Sequence, residues 1–279
     1  MSGFSPDWLA LREPADHAAR NPQVLAAVGA AFASRQSLTV IDLGCGAGSN
    51  LRGTYSVLPA RQYWTLVDFD PRLLAVARER LTAWADEAEA LGEELVLRKG
   101  EKSLTVDFRK ADLNTDLEWV LGWQPDLVTA AALFDLTSAR WLERFVASLV
   151  SQRLPLYTAL TYDGRESWEP AHPADARMLA AFNHHQHSDK GFGPAAGPEA
   201  TETLAQAFRK SGCAVTVGES PWMLDAGSAA LTRELTAGIV AAVAETGHVD
   251  AETIASWLVA RAKASSGRIG HQDLWARPV

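Results

Sequence analysis

Val40-Ile41-Asp42-Leu43-Gly44-Cys45-Gly46-Ala47-Gly48-Ser49 is the stretch on which the fold turns. It begins inside residues 38–43, a short apolar run rich in β-branched residues that reads as a buried strand. Three glycines at alternate positions then let the backbone turn sharply and approach a ligand closely. A helix follows to about Leu58, stopped by Pro59, and its free N–H groups and dipole favour a negative group. Asp68 ends the next strand, residues 63–67, about twenty residues beyond Gly48. A carboxylate placed there can accept both hydroxyls of a ribose. The nicotinamide and flavin fingerprint is G-x-G-x-x-G. Here the glycines fall G-x-G-x-G, with Ser49 where the third would stand, and Asp42 precedes the first glycine by two residues. The loop carries no basic residue to neutralise a pyrophosphate. A carboxylate at Asp42 suits a cationic ligand better than a diphosphate.

Outward from this loop, strands alternate with helices. Asp70-Pro71 starts a helix carrying Leu73, Leu74, Ala77, Leu81 and Trp84, expected to stop near Gly92. Residues 95–111 alternate around Lys99-Gly100 and predict a hairpin or an irregular strand. Residues 127–132 form the next strand, 138–150 a helix and 154–161 a fifth strand. Residues 201–210 are helical and 214–217 a sixth strand. Leu231, Leu235, Ile239 and Val243 mark one further helix, Ile254, Trp257, Leu258 and Arg261 another, and residues 269–276 close as a strand. Such alternation predicts an α/β, doubly wound, mostly parallel sheet covered on both faces. In these sheets ligands bind beyond the carboxyl ends of the strands.

The composition agrees with a globular chain. Of 279 residues, 47% are hydrophobic and 22% charged, which excludes a disordered or fibrous protein. The longest apolar run, residues 127–134, is far below the ~18 residues a membrane helix needs. Residues 1–20 are polar and lack a secretory core. Two cysteines, Cys45 and Cys213, make no disulfide framework, so the expectation is a cytoplasmic protein. A net charge of −8 with no basic run argues against a nucleic-acid partner. No membrane partner is expected either, and the state is read as monomer or homodimer.

Taken in order, Asp42-Leu-Gly-Cys-Gly-Ala-Gly48, Asp68-Phe-Asp-Pro71, Ala111-Asp112-Leu113 and Pro125-Asp126-Leu-Val128 resemble the motifs of class I S-adenosylmethionine-dependent methyltransferases. The resemblance covers about residues 36–161, and Gly270-His-Gln-Asp-Leu-Trp275 looks like the last, antiparallel strand of that fold. It implies a seven-stranded sheet with helical lid insertions in a single domain, 1–279. Within it, 1–35 would be a helical cap, 36–161 the cofactor-binding core, 162–200 a lid loop, 201–225 the rest of the core, 226–267 a helical insertion and 268–279 the final strand. The cofactor implied is S-adenosyl-L-methionine, with S-adenosyl-L-homocysteine as product. Gly44, Cys45, Gly46 and Gly48 would wrap its methionine part and Asp42 hold its amino group, directly or through water. Asp68 would bind the ribose and Phe69 stack near the adenine. Asp112, with the Leu113 backbone, would take the adenine amino group, with capping of the following turn as the lesser alternative for Asp112. Ala131 and Ala132 would lie under the sulfonium.

The acceptor side is read from position. Residues 162–200 leave the carboxyl edge and would overhang the cofactor with the connection 222–267, as lids that exclude water do. His184, His185 and His187 fall in the first of these. His185 and His187 are candidate general bases and His184 a substrate contact. A metal site from His184, His187 and Asp189 matches no standard zinc spacing, and a solvated turn remains the plain alternative. Asp135, after Phe134, could orient the acceptor or cap the helix near Ser138. Tyr162 and Asp163 are similar cases, and Trp168 and Trp222 are either pocket walls or core. Arg12, Asp16 and Arg20 share a helical face, as a solvated ion-pair ladder or with Arg20 reaching the cofactor carboxylate.

The resemblance implies a methyltransferase, and the acceptor reading is a small molecule methylated at O, N or C. Ala-Ala-Leu-Phe-Asp replaces the Asn/Asp-Pro-Pro-Tyr/Phe of nucleic-acid amino-methylating enzymes, and neither a Pro-Cys nucleophile nor a magnesium-type acidic cluster is present. Two alternatives stand beside it. One is a non-catalytic cofactor-binding or assembly protein. The other is aminopropyl transfer, which the acidic Asp163, Glu166, Glu169, Asp175, Asp189 and Glu199 would serve.

Overall fold

The computed structural model describes residues 4–279, so the first three residues of the expected cap lie outside the described residues. Ser5 accepts from Trp8 N–H ahead of α1 (Pro6–Ala19), and Asn21 accepts from Gln23 and Val24 N–H ahead of α2 (Pro22–Phe32). In both, proline follows the cap, where a missing N–H costs nothing. β1 (Ser37–Leu43) runs through the glycine loop into α3 (Ser49–Thr54), which ends in a 3₁₀ turn at Tyr55–Val57. β2 (Arg61–Asp68) leads to α4 (Pro71–Trp84), capped by Asp70. The helix expected to reach Gly92 stops at Trp84, and β3 (Glu87–Leu91) follows. Glu-Ala-Glu-Ala-Leu favours helix by propensity, but pairing along β4 (Glu94–Lys99) overrides it. β5 (Lys102–Lys110), α5 (Leu117–Leu121), β6 (Leu127–Ala131) and α6 (Ala139–Ser151) continue the alternation. The rest is β7 (Leu156–Glu169), α7 (Asp175–Gln186), α8 (Ala200–Lys210), β8 (Ala214–Glu219), β9 (Trp222–Leu224), α9 (Ala229–Thr246), α10 (Ala251–Arg261) and β10 (Ser266–Arg277).

The strand order is β3-β4-β5-β2-β1-β6-β7-β10-β8, with β9 paired to β10. β5, β2, β1, β6 and β7 are parallel, and β10 lies antiparallel between β7 and β8. This is the doubly wound α/β sheet with an antiparallel last strand that the sequence implies. Its seven core strands are widened to ten by the β3–β4 hairpin at one edge and by β9. Val28, Leu51, Leu74 and Leu81 fill one face of the sheet, and Leu117, Leu142, Phe145 and Phe208 fill the other. From β1 the chain winds to β2 and β5 on one side and β6 and β7 on the other. Their carboxyl ends therefore open a crevice between β1 and β6, where such sheets take ligands. Among the described residues no helix is long and apolar enough to cross a membrane.

The segment 162–200 is not the unstructured loop expected. β6 leaves β7 at Ala131 and Ala159, but β7 continues to Glu169 paired with β10 alone. This ribbon, with β9 on the other side of β10 at Gly267–Ile269, rises past the carboxyl edge. α7, α9 and α10 pack on it around Tyr162, Trp168, Met178, Trp222, Trp257 and Ile269. Close approach fixes two glycines of β10. A Cβ on Gly267 would strike the Trp168 ring, and one on Gly270 would strike the Asp163 carboxylate. Where the ribbon departs, Ala132 and Leu160 hold φ of 50° and 60°, a conformation that costs non-glycine residues of order 1 kcal/mol or more. Ala132 N–H is held by Ala159 O at 2.9 Å, and Leu160 N–H by the buried Asp273 carboxylate at 2.9 Å. Asp273 also accepts from Asn21 N–H at 2.8 Å, tying the cap of α2 to the same kink.

Candidate functional site

The glycine loop takes the shape its sequence requires. Gly44, Gly46 and Gly48 have φ of 62°, 52° and 76°, a region open to glycine at little cost. Cys45 N–H donates to Val67 O at 3.0 Å and Gly46 N–H to Asp68 Oδ2 at 2.8 Å, so the loop is pinned to the end of β2. The other Asp68 oxygen accepts from Asp70 N–H at 2.9 Å. Burial raises the Asp68 pKa against these bonds. Leu133 packs on Gly44. Cys45 is buried, and burial beside Asp68 and Asp42 keeps it a thiol.

Asp42 is fully buried on β1. Its Oδ1 accepts from Asn50 Nδ2 at 2.7 Å, whereas Oδ2 has no partner among the described residues. Burial pushes its pKa up to about 7, opposed by the Asn50 hydrogen bond and by Arg20. A buried carboxylate oxygen without a donor is a place for a cationic one. Asn50 is held in turn by Arg20, whose Nη2 donates to Asn50 Oδ1 at 2.8 Å and whose Nη1 donates to Thr54 Oγ1 and Tyr157 OH. Arg20 is thus a buttress behind Asp42, with its Nε left without a partner among the described residues.

The solvated ladder expected of α1 is corrected. Arg12, Asp16 and Arg20 are 9%, 6% and 7% exposed. α1 lies across the glycine loop: Leu9 touches Gly46, and His17 Nε2 donates to Ser49 O at 3.0 Å. Glu13 meets Arg52 of α3 through two bonds of 2.6 and 2.7 Å. The sequence signal was the spacing of Glu13 and His17 one helical turn apart, which points to one face but not to what it covers.

On the other side of Asp68, the Phe69 ring is 53% exposed, with Lys110 Nζ 5.7 Å from its centre. It is free to stack a flat ring. Asp112 Oδ1 accepts from Asn114 N–H at 2.9 Å, the turn-capping role, and Leu113 is buried with its carbonyl on Trp141 Nε1. Asn114 Nδ2 also donates to Gly191 O at 2.7 Å, so the segment after α7 reaches this edge.

Beyond β6 a second polar cluster forms. Asp135 is half-buried, and its Oδ1, shielded from solvent, has no partner among the described residues. Burial raises its pKa to about 6, against Arg12 and the Tyr162 N–H. Arg12 is bonded to Asp16 at 2.9 and 3.1 Å and lies over the Trp222 ring, whose Nε1 donates to Asp16 at 3.0 Å. His271 sits 4.9 Å from Trp222 and 6.1 Å from Tyr162, ring centre to ring centre. Its Nδ1 is 3.1 Å from Ile269 O; a carbonyl only accepts, so Nδ1 carries the proton and Nε2 the lone pair. Burial and Arg12 push its pKa down to about 3, so it stays neutral. Tyr162 OH donates to Asn183 Oδ1 at 3.0 Å. Of the residues singled out in the sequence for the acceptor side, Asp135, Tyr162 and Trp222 lie in this cluster, beside Arg12, Asp16, Asn183 and His271.

Other expected residues lie elsewhere. Phe134 is core, packed on Trp141 and Phe145 on the opposite side of the sheet. Asp163 pairs with Arg165 and lies shielded against Gly270. Trp168 belongs to the ribbon core with Trp257, and Arg261 lies over its ring. His184 packs against His248 with the rings tilted, and His185 pairs with Glu245 at 3.0 Å, both at the end of α9. His187 faces Ala195 O and Glu199. The lid histidines do not join Asp135. The lid carboxylates are dispersed too: Asp189 accepts from Gly191 and Gly193 N–H, and Asp175 from Trp257 Nε1. Among the described residues no group of three or more His, Cys, Asp or Glu is placed to hold a metal ion. A groove of about 1040 Å³ opens at the amino edge of the sheet, lined by Arg35, Arg153 and Trp275 and by none of these residues.

No protein-family model matches the chain, and no curated protein matches it. Among solved structures it is similar to a putative methyltransferase from Bacillus halodurans (12% identity, TM-score 0.48, covering 91% of this chain and 99% of that one). It is similar to a SAM-dependent methyltransferase from Geobacter sulfurreducens in complex with S-adenosyl-L-homocysteine (15% identity, TM-score 0.45, 99% of each chain). It is also similar to the cyclopropane synthase MmaA2 from Mycobacterium tuberculosis (14% identity, TM-score 0.49, 98% of this chain and 95% of that one).

Proposed function

We propose that this protein is an S-adenosyl-L-methionine-dependent methyltransferase acting on a small molecule. The observation that carries the proposal is the loop itself. Three left-handed glycines lie between two strand-end carboxylates, and the buried one, Asp42, keeps an oxygen without a partner. When bound, the cofactor supplies a methyl group on positively charged sulfur and leaves as S-adenosyl-L-homocysteine. Asp42 accepts from its ammonium group, and Asp68 accepts from the ribose hydroxyls. Phe69 offers its exposed face to the adenine. α1, bonded to α3 and the loop through Glu13 and His17, closes over the site and excludes water. Asp135, four residues past β6, stands where an acceptor would meet the methyl group and is the candidate base. Much of the rate in such a site comes from alignment. The dispersal of the lid carboxylates favours this over aminopropyl transfer.

Calorimetric titration with S-adenosyl-L-methionine and then with S-adenosyl-L-homocysteine tests the proposal, with NAD as control. Micromolar binding of both, weakened in Asp68→Ala, supports it. Binding of neither, or of NAD alone, overturns it.

A further inference from the structure

The charged and polar groups around Asp135 are already engaged with one another. Arg12 is matched by Asp16, which also takes the Trp222 indole N–H. Glu166 accepts from Trp168 Nε1 at 3.2 Å and from Tyr162 OH at 3.4 Å. Tyr162 OH is further held by Asn183, and His271 is anchored by Nδ1 and offers only a lone pair at Nε2. Asp135 Oδ1 is buried and has no partner among the described residues. A buried carboxylate oxygen without a donor costs free energy, which a ligand donor recovers on binding. A carboxylate or phosphate ligand would instead bring a second negative charge against it.

The geometry points to a methyl acceptor whose reacting atom is an amine nitrogen or a hydroxyl oxygen bearing hydrogen, bonded through that hydrogen to Asp135 Oδ1, and not a carboxylate. This rests on the methyltransferase proposal above. Tyr162, edge to face, and Trp222, tilted, both pack on His271 and bring aromatic side chains to this end of the sheet. In the reaction the acceptor's lone pair forms the bond to the methyl carbon. The carbon–sulfur bond breaks with its electron pair staying on sulfur, and the acceptor's proton passes to Asp135.

The test uses two rings of equal size and opposite hydrogen-bond character, benzylamine and benzoate. Each is titrated into the S-adenosyl-L-homocysteine-loaded protein and followed by ligand-observed NMR. Saturable binding of benzylamine is expected, with benzoate at least tenfold weaker. Asp135→Asn should weaken benzylamine at least tenfold and leave the affinity for S-adenosyl-L-homocysteine within twofold. Should Asp135→Asn fail to fold, Asp135→Ser serves the same comparison. Binding of S-adenosyl-L-homocysteine with no benzylamine binding, with benzoate preferred, or with benzylamine indifferent to the Asp135 variants overturns the acceptor class alone. Failure of S-adenosyl-L-homocysteine to bind the wild type overturns the methyltransferase proposal instead.

Discussion

Replacing Asp42 by asparagine tests the electrostatics of the loop without any ligand. Asp42 is fully buried, and its pKa rises from the ordinary 3.8 to about 7. The folded chain therefore holds this proton more tightly than the unfolded chain does. That difference favours folding at low pH and is lost as the pH climbs from about 4 to about 7. At pH 5 the group is protonated when folded and ionised when unfolded, an advantage of about 3 kcal/mol; at pH 8 almost none remains. Asparagine carries no such proton in either state. Its side-chain oxygen still accepts from Asn50, and any fixed cost of its new N–H groups is the same at both pH values. Asp135 and Glu166, also raised by burial, are shared by both proteins and drop out of the comparison. Urea unfolding at pH 5 and pH 8, without cofactor, should therefore show the stability difference moving by about 3 kcal/mol in favour of Asp42→Asn at the higher pH. A difference constant to within about 1 kcal/mol would show that Asp42 is ionised throughout and would refute the reasoning.

The same pKa gives cofactor binding a pH dependence. An ammonium group needs the ionised carboxylate, so affinity for S-adenosyl-L-homocysteine should fall towards tenfold per unit below about pH 7 and level off above it, by calorimetry. Asp68→Ala removes the acceptor of Gly46 and Asp70 N–H as well as the ribose partner, and should weaken that affinity by roughly 1–3 kcal/mol; an unchanged constant would sink the assignment. Gly270→Ala drives a methyl group into the Asp163 carboxylate and should lower stability by roughly 1–3 kcal/mol in thermal or urea unfolding. His185→Ala breaks a pair whose glutamate is 71% exposed, so stability and cofactor affinity should both stay within about 0.5 kcal/mol; a large loss of affinity would return the lid histidines to the site.

Sequence alone determined the parts of this protein whose cause is local. Alternate glycines after an apolar run force a left-handed loop at Gly44, Gly46 and Gly48, because other residues meet their own Cβ there. A carboxylate before the loop and one after the next strand follow from spacing, as does the alternation that makes the sheet parallel. What the chain hides is what tertiary pairing decides. Glu87–Leu91 is a strand only because β4 lies beside it, and residues 162–169, with charged side chains on their outer face, are a strand only because β10 continues with them. The periodicity of Arg12, Asp16 and Arg20 gives one helical face, but burial in place of solvation depends on that face landing on the glycine loop and Trp222. His271 stands more than a hundred residues from Asp135 in the chain and carries no motif. It reaches Tyr162 and Trp222 because β10 runs back antiparallel beside β7, whereas His184 and His185, prominent in sequence, are carried by α7 to the end of α9. Local conformation is set by steric limits between neighbours, which the sequence states directly. Which side chains share a site is set by the long-range packing of one sheet edge, which no single stretch contains.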